Sequence, residues 1–417
     1  MRRRAFLRLS LAALAGAGLP ALAGCGAGPS EGRPAPAAVT GATVTVGHDA
    51  ANVPPTPAPP PSPAEMLRRS WASYRVHFIQ NDGRTMDPLR DMATTSEGQS
   101  YSLLKAVWLD DQDTFDRVLA WTNSNLRVRG DALCVFLWGR GADGTWTTLD
   151  ANVATDADQD IALALVFAHR RWGGEQYLAQ ARAMLADIWR LTVVTVAGRP
   201  YLTAGNWAPA QERPTLNPSY FAPYAYRIFA QVDQDHPWKT LVDTSYEVIS
   251  VSSTQRLDGE RAVGLPPNWC AIDRGAGQIV PPAADLDTHF GYDAFRTYWR
   301  VALDSLWFGE PRAASYLQQS DFLRAVWQKE GAVSAVYSHD GVPVVVREEA
   351  AVYSGLIGNL MVAQPELAPQ LYEREMAPRF VEREGQTYWD DPRAYYTQNW
   401  LWFGVGLYAG ELPNLAG

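Results

Sequence analysis

Three carboxylates fall within five residues in Thr155-Asp156-Ala157-Asp158-Gln159-Asp160, and directly after them Ile161, Leu165, Ala168 and Trp172 recur at the spacing of one helix face. An acidic cluster therefore opens a helix. A single Asp at that place would accept from the orphan N–H groups and suit the positive end of the helix dipole. Three exceed what a cap uses. They are either a solvated acidic first turn or part of a site in which carboxyl groups hold a polar ligand or move protons, and this segment alone leaves both open.

Two more acids stand at helix starts. Glu97, in Thr94-Thr95-Ser96-Glu97-Gly98-Gln99-Ser100-Tyr101, opens a helical pattern in which Ser96 and Gln99 have the spacing of a capping box. Asp293, in Gly291-Tyr292-Asp293-Ala294-Phe295-Arg296, opens another, with Arg296 and Arg300 on nearly the same face. Carboxyl groups in different environments are the equipment of general acid and base chemistry, one protonated and one ionised. A helix N-terminus lowers a carboxyl pKa, whereas a general acid needs it raised, so burial or a neighbouring carboxylate has to oppose the dipole at Glu97. Asp156 and its neighbours are the available like charges. An Asp beside Arg296 is both an ordinary ion pair and the form a base takes when it is kept ionised.

Other chemistries fit less well. A calcium loop counted from Asp156 needs Gly at its sixth position and Glu at its twelfth, where Ile161 and Phe167 stand. Asp158-Gln159-Asp160 lacks the adjacent acid pair of a terpene cyclase, and no glycine-flanked nucleophilic Ser accompanies the six histidines. Cys25, Cys134 and Cys270 have no metal-site spacing, and no metal or cofactor is expected. A formal charge of -9 carries no basic footprint for nucleic acid and suits a neutral or cationic polymer. Sixteen Trp and eighteen Tyr offer flat faces that stack on sugar rings as well as core material.

The elements that must position these acids are helices. Helical patterns cover about 64–77, 97–109, 112–126, 156–172, 175–193, 218–233, 237–250, 292–307, 311–328, 349–363, 366–376 and 395–409. Turns such as Asp110-Asp111, Gly173-Gly174 and Gly309-Glu310-Pro311 are short, while the connections after alternate helices are long. Short turns make antiparallel helical hairpins, so the expected fold is all-α, six hairpins in a toroid of inner and outer helices with long loops at one end. Residues 333–346 read as a small hairpin around Asp340-Gly341.

The amino terminus has a different task. Arg2-Arg3-Arg4 precede an apolar run that ends in Leu22-Ala23-Gly24-Cys25, the form of a bacterial export signal with a lipobox in which Cys25 is lipidated. Residues 26–64 are rich in Pro, Ala and Gly and form an extended tether. The folded domain is expected over 65–417, exported and lipid-anchored on the outer face of the membrane or, with cleavage at another small-residue site, secreted, as a monomer. Cys134 and Cys270 either pair or remain buried thiols.

Together these residues resemble glycoside hydrolase family 8, the inverting family of bacterial cellulases, chitosanases, licheninases and xylanases on an (α/α)6 barrel. The resemblance covers about residues 66–415. It rests on Ala154-Thr155-Asp156-Ala157-Asp158 with Ile161-Ala162, Ala164-Leu165-Val166, Ala168 and Trp172, and on Ser96-Glu97-Gly98-Gln99-Ser100-Tyr101, Asn217-Pro218-Ser219-Tyr220 and Tyr292-Asp293-Ala294-Phe295-Arg296-Thr297. It implies Glu97 as general acid, Asp293 as general base and Asp156 as the residue that holds and distorts the sugar before the scissile bond, with Tyr220 and Arg296 in support. Inversion uses a protonated carboxyl at the leaving oxygen and a carboxylate across the ring with room for a water. Trp138, Trp146 and Trp207, in inter-helix stretches, are candidate sugar platforms. Tyr298-Trp299 stands where cellulases usually have Pro-Trp, and Tyr395-Tyr396-Thr397-Gln398-Asn399 lacks the acids often found after its tyrosines. The implied activity is endo-cleavage of β-1,4-glucan. Xylanase, licheninase, chitosanase and a non-catalytic polysaccharide-binding surface lipoprotein are the alternatives.

Overall fold

The computed structural model describes residues 60–417. The export signal, the lipidation residue Cys25 and the tether up to residue 59 lie outside the described residues. From there the chain alternates outward and inward. Outer helix α1 (Pro63–Phe78) leads to inner α2 (Ser96–Trp108), outer α3 (Gln112–Asn125) to inner α4 (Thr155–Trp172), and outer α5 (Glu175–Thr192) to inner α6 (Pro223–Val232). Outer α7 (Trp238–Thr254) then leads to inner α8 (Phe295–Phe308), outer α9 (Pro311–Gln319) and α10 (Phe322–Glu330) to inner α11 (Val352–Ala363), and outer α12 (Ala368–Leu371) to inner α13 (Tyr395–Tyr408). Successive inner helices pack on one another from α2 round to α13.

Sequence explains which helices lie inside. From Gly98 to Trp108 every residue of α2 is buried, and a helix without a polar face belongs in an interior. Lys105 is the exception in kind: it is fully enclosed, donates from Nζ to Asn399 Oδ1 at 2.6 Å, and lies 3.8 Å from the Tyr74 ring centroid. Burial pulls its pKa well below the usual lysine range. That hydrogen bond ties the first inner helix to the last and closes the ring. Gly355 permits the closest approach of α8 and α11, because a Cβ there would run into the Phe295 carbonyl.

Since the inner helices all run the same way, their N-termini share one end of the barrel, and the long connections gather there. Three short strands cover part of that end: β1 (Thr94–Thr95), β2 (Leu137–Arg140) and β3 (Trp146–Asp150), in the antiparallel order β1-β2-β3. The expected hairpin around Asp340-Gly341 pairs Val336–Tyr337 with Pro343–Val345.

Local differences from the expected helices have identifiable causes. The single helix expected over 311–328 breaks after Gln319, where Arg324 and Asn359 donate to the freed carbonyls of Leu317 and Ser320. The segment expected over 366–376 is a mixture of turns around α12. Residues 218–220 form a separate 3-10 turn before α6. The capping box expected from Ser96 and Gln99 does not form. Thr95 is the cap, accepting from Gly98 N–H at 3.0 Å, while Gln99 turns inward to accept from Thr85 N–H and donate to Thr122.

Candidate active site

The acidic start of α4 is not a solvated turn. Asp156, Asp158 and Asp160 are 1%, 0% and 3% exposed, and none caps the helix. Alternate positions on a helix point in different directions, and each carboxylate meets a different partner. Asp156 Oδ2 accepts from Arg296 Nη1 at 3.0 Å. Asp158 turns to the loop before β2 and accepts the Cys134 N–H at 3.0 Å. Asp160, one turn below Asp156, takes both arms of Arg300 at 2.9 and 2.8 Å, and Arg300 also donates to the Tyr224 hydroxyl.

Arg296 joins the three acids singled out by sequence. Its Nη1 donates to Glu97 Oε2 at 2.8 Å as well as to Asp156, and its Nη2 donates to Asp293. The guanidinium is 1% exposed, whereas the Glu97 and Asp293 side chains are 22% and 20% exposed. Both face an open cleft of about 1100 Å³. Glu97 lies in the first turn of α2. Asp293 lies two residues ahead of α8, so it precedes the helix it was expected to begin.

Three carboxylates around one cation cannot all ionise cheaply. Burial pushes the Asp293 carboxyl up to about 6, with Arg296 opposing and Glu97 reinforcing. Burial likewise raises Asp156, again opposed by Arg296 and reinforced by Glu97. Burial drives Asp158 to about 8. Asp156 and Asp293 are therefore both harder to ionise than free carboxyl groups, and each bonds to Arg296.

Tyr220 lines the cleft with its ring centroid 5.4 Å from the Arg296 Cζ. Trp269, which has no distinguishing local motif, packs edge-on to Tyr220 at 6.0 Å and also lines the cleft. The three expected sugar platforms are not among the residues that line this cleft. Trp138 and Trp146 stack on each other at 5.1 Å across β2 and β3, beneath the Arg84 guanidinium. Trp207 packs against the cluster of Ala204, Tyr220 and Trp269.

The remaining lining comprises Asp87, Leu89, Arg90 and Thr95 on one side, Phe136, and then Tyr292, Glu349 and Ala394 to Thr397. Asp91 and Met92, next to that first group, both take left-handed backbone, a strained pair at the cleft rim. Glu349 carried a signal that was available: it is the acid at the start of the helical pattern 349–363, the same placement as Glu97, Asp156 and Asp293. Cys134 and Cys270 are both buried free thiols, which settles the choice between pairing and burial.

With this geometry in hand, comparison with known proteins gives a consistent result. The chain is 37% identical over 254 residues to an endoglucanase of Xanthomonas axonopodis pv. citri, covering 60% of this chain and 62% of the relative, and so spans less than two thirds of that relative's length. It is 28% identical over 364 residues to endoglucanase A of Acetivibrio thermocellus, covering 84% of this chain and 70% of the relative. A solved endo-1,4-D-glucanase from Vibrio fischeri ES114 superposes with a TM-score of 0.67 at 25% identity, over 82% of this chain and 94% of that chain. Residues 62–399 match the profile described as glycosyl hydrolases family 8. A match running from the cap of α1 into the last inner helix takes in the whole ring, and the chain belongs to glycosyl hydrolases family 8.

Proposed function

We propose that this chain is an endo-acting, inverting glycosidase that cleaves β-1,4-glucan, with Glu97 as general acid, Asp293 as general base and Asp156 holding the sugar that precedes the scissile bond. The observation that carries the reading is Arg296, which keeps Glu97 and Asp293, both lining an open cleft, on separate arms of one buried guanidinium. Glu97 gives its proton to the glycosidic oxygen as the bond to the anomeric carbon breaks. Asp293 takes a proton from the water that attacks that carbon from the opposite face, so the configuration inverts. The lone pair of the water forms the new bond, and the bonding pair leaves with the glycosidic oxygen. Asp156, whose Oδ1 has no hydrogen bond among the described residues, is suited to accept from a sugar hydroxyl. The endoglucanase names of the relatives above support glucan as the polymer, and the export signal and lipobox support an enzyme tethered outside the cell.

Glu97→Gln keeps the shape and removes the proton. It is expected to lower turnover of carboxymethylcellulose by roughly 10²–10⁴-fold with an unchanged thermal midpoint. Near wild-type hydrolysis by that variant would defeat the assignment. The same assay on mixed-linkage glucan, xylan and chitosan separates glucanase from licheninase, xylanase and chitosanase. Binding without cleavage of any of them would favour a polysaccharide-binding surface protein.

A further inference from the structure

The inner helices follow one another round the ring as α2, α4, α6, α8, α11 and α13, with Lys105 and Asn399 closing the circuit. In a ring of six, α2 faces α8 and α4 faces α11. Glu97 and Asp293 thus come from one opposed pair, and the line between them divides the rim into two sectors. Asp156 and Tyr220, on α4 and the approach to α6, occupy one sector. Glu349, Tyr395, Tyr396 and Thr397, on the approach to α11 and the start of α13, occupy the other. A polymer whose scissile bond sits between Glu97 and Asp293 places one sugar in each sector.

Glu349 is 7% exposed and lines the cleft. Its Oε1 accepts from the Thr397 hydroxyl at 3.0 Å, and its Oε2 lies 4.0 Å from Arg347 Nη1, beyond hydrogen-bond reach. An ionised carboxylate offers about four acceptor sites. Most of that capacity is unspent among the described residues. The wall around it is held firm, because Tyr396 donates to the Tyr292 carbonyl and Arg347 donates to the Tyr292 hydroxyl at 3.0 Å.

We propose that Glu349 is a specificity-determining contact for the sugar on the leaving-group side of the scissile bond, the counterpart across the ring of Asp156; this rests on the glycosidase reading above. A buried carboxylate that only accepts selects units presenting hydroxyl or ammonium donors and repels units carrying an anionic substituent at that position.

The test compares two substrates of wild type and Glu349→Gln. Cellohexaose places a sugar in the leaving-group sector, whereas release of nitrophenol from a p-nitrophenyl cello-oligoside places an aryl group there that presents no hydroxyl. The substitution is expected to lower kcat/KM for cellohexaose by about tenfold more than for nitrophenol release, the difference between a charged and a neutral acceptor. Glu349→Asp, which keeps the charge on a shorter stem, is expected to show the same discrimination to a smaller degree and serves if the Gln variant does not fold. Equal losses on both substrates, or no loss on cellohexaose, would overturn the assignment. A wild-type enzyme that cleaves neither substrate would overturn the β-1,4-glucanase reading itself, and this assignment with it.

Discussion

At the scale of single residues, the site is a problem of charge. Asp293 has to be ionised to act on water, yet it is desolvated and shares Arg296 with two other carboxylates. Burial outweighs Arg296 and leaves Asp293 at about 6, against an ordinary value of 3.8. The sign of the consequence is direct: the base is competent above its pKa and lost below it. The acid limb of the kcat/KM profile is therefore expected near pH 6, falling about tenfold per unit at lower pH. A limb near pH 4 would show that Arg296 dominates over burial. Steady-state kinetics on a soluble cello-oligosaccharide across pH 4–8 measures it.

At the scale of elements, α4 and α8 meet in two stacked rungs. Asp156 pairs with Arg296, which also bonds to the cleft-lining Glu97 and Asp293, and Asp160 pairs with Arg300 one turn deeper. Both residues of the lower rung are nearly inaccessible, at 5% and 1% side-chain exposure. Breaking such a pair strands a buried charge, so Asp160→Ala is expected to cost about 3–5 kcal/mol. Replacing both partners with apolar residues of similar size, Asp160→Leu with Arg300→Met, removes both charges and is expected to restore much of that loss. Chemical denaturation of the single and double variants measures both. A double variant as unstable as the single one would mean that the rung contributes more than charge balance, with the Arg300 bond to Tyr224 the first suspect.

At the scale of the whole molecule, the prediction concerns where the barrel is held. The chain carries Leu22-Ala23-Gly24-Cys25 ahead of a Pro-rich stretch, so the full protein is expected to be anchored through a lipid on Cys25. Cys25→Ser is expected to abolish incorporation of labelled palmitate and to move the enzyme from the membrane fraction to the soluble fraction of a bacterial host. Retention of label in that variant would exclude the lipobox. Because α1 packs on α13 through the Trp402 bond to the Leu67 carbonyl, the start of the folded domain is fastened to its last helix.

How much of this was legible beforehand differs between particular residues. Sequence alone determined the helical hairpins, their inner and outer alternation, and the acids at Glu97, Asp156 and Asp293, because helix periodicity, short turns and side-chain chemistry are local properties of the chain. The family resemblance rests on the same local words. Sequence could not say that Asp156, Asp158 and Asp160 are all buried with three separate partners, since burial depends on what packs against a helix from far along the chain. It could not say that Arg296 joins all three acids, because Glu97 and Arg296 are 199 residues apart. Trp269 and Glu349 became part of the cleft, and Trp138 and Trp146 a stacked pair beside Arg84, only through the closing of the ring. Which side chains share a space is decided by the order of helices around the barrel, and that order exists only in the tertiary structure.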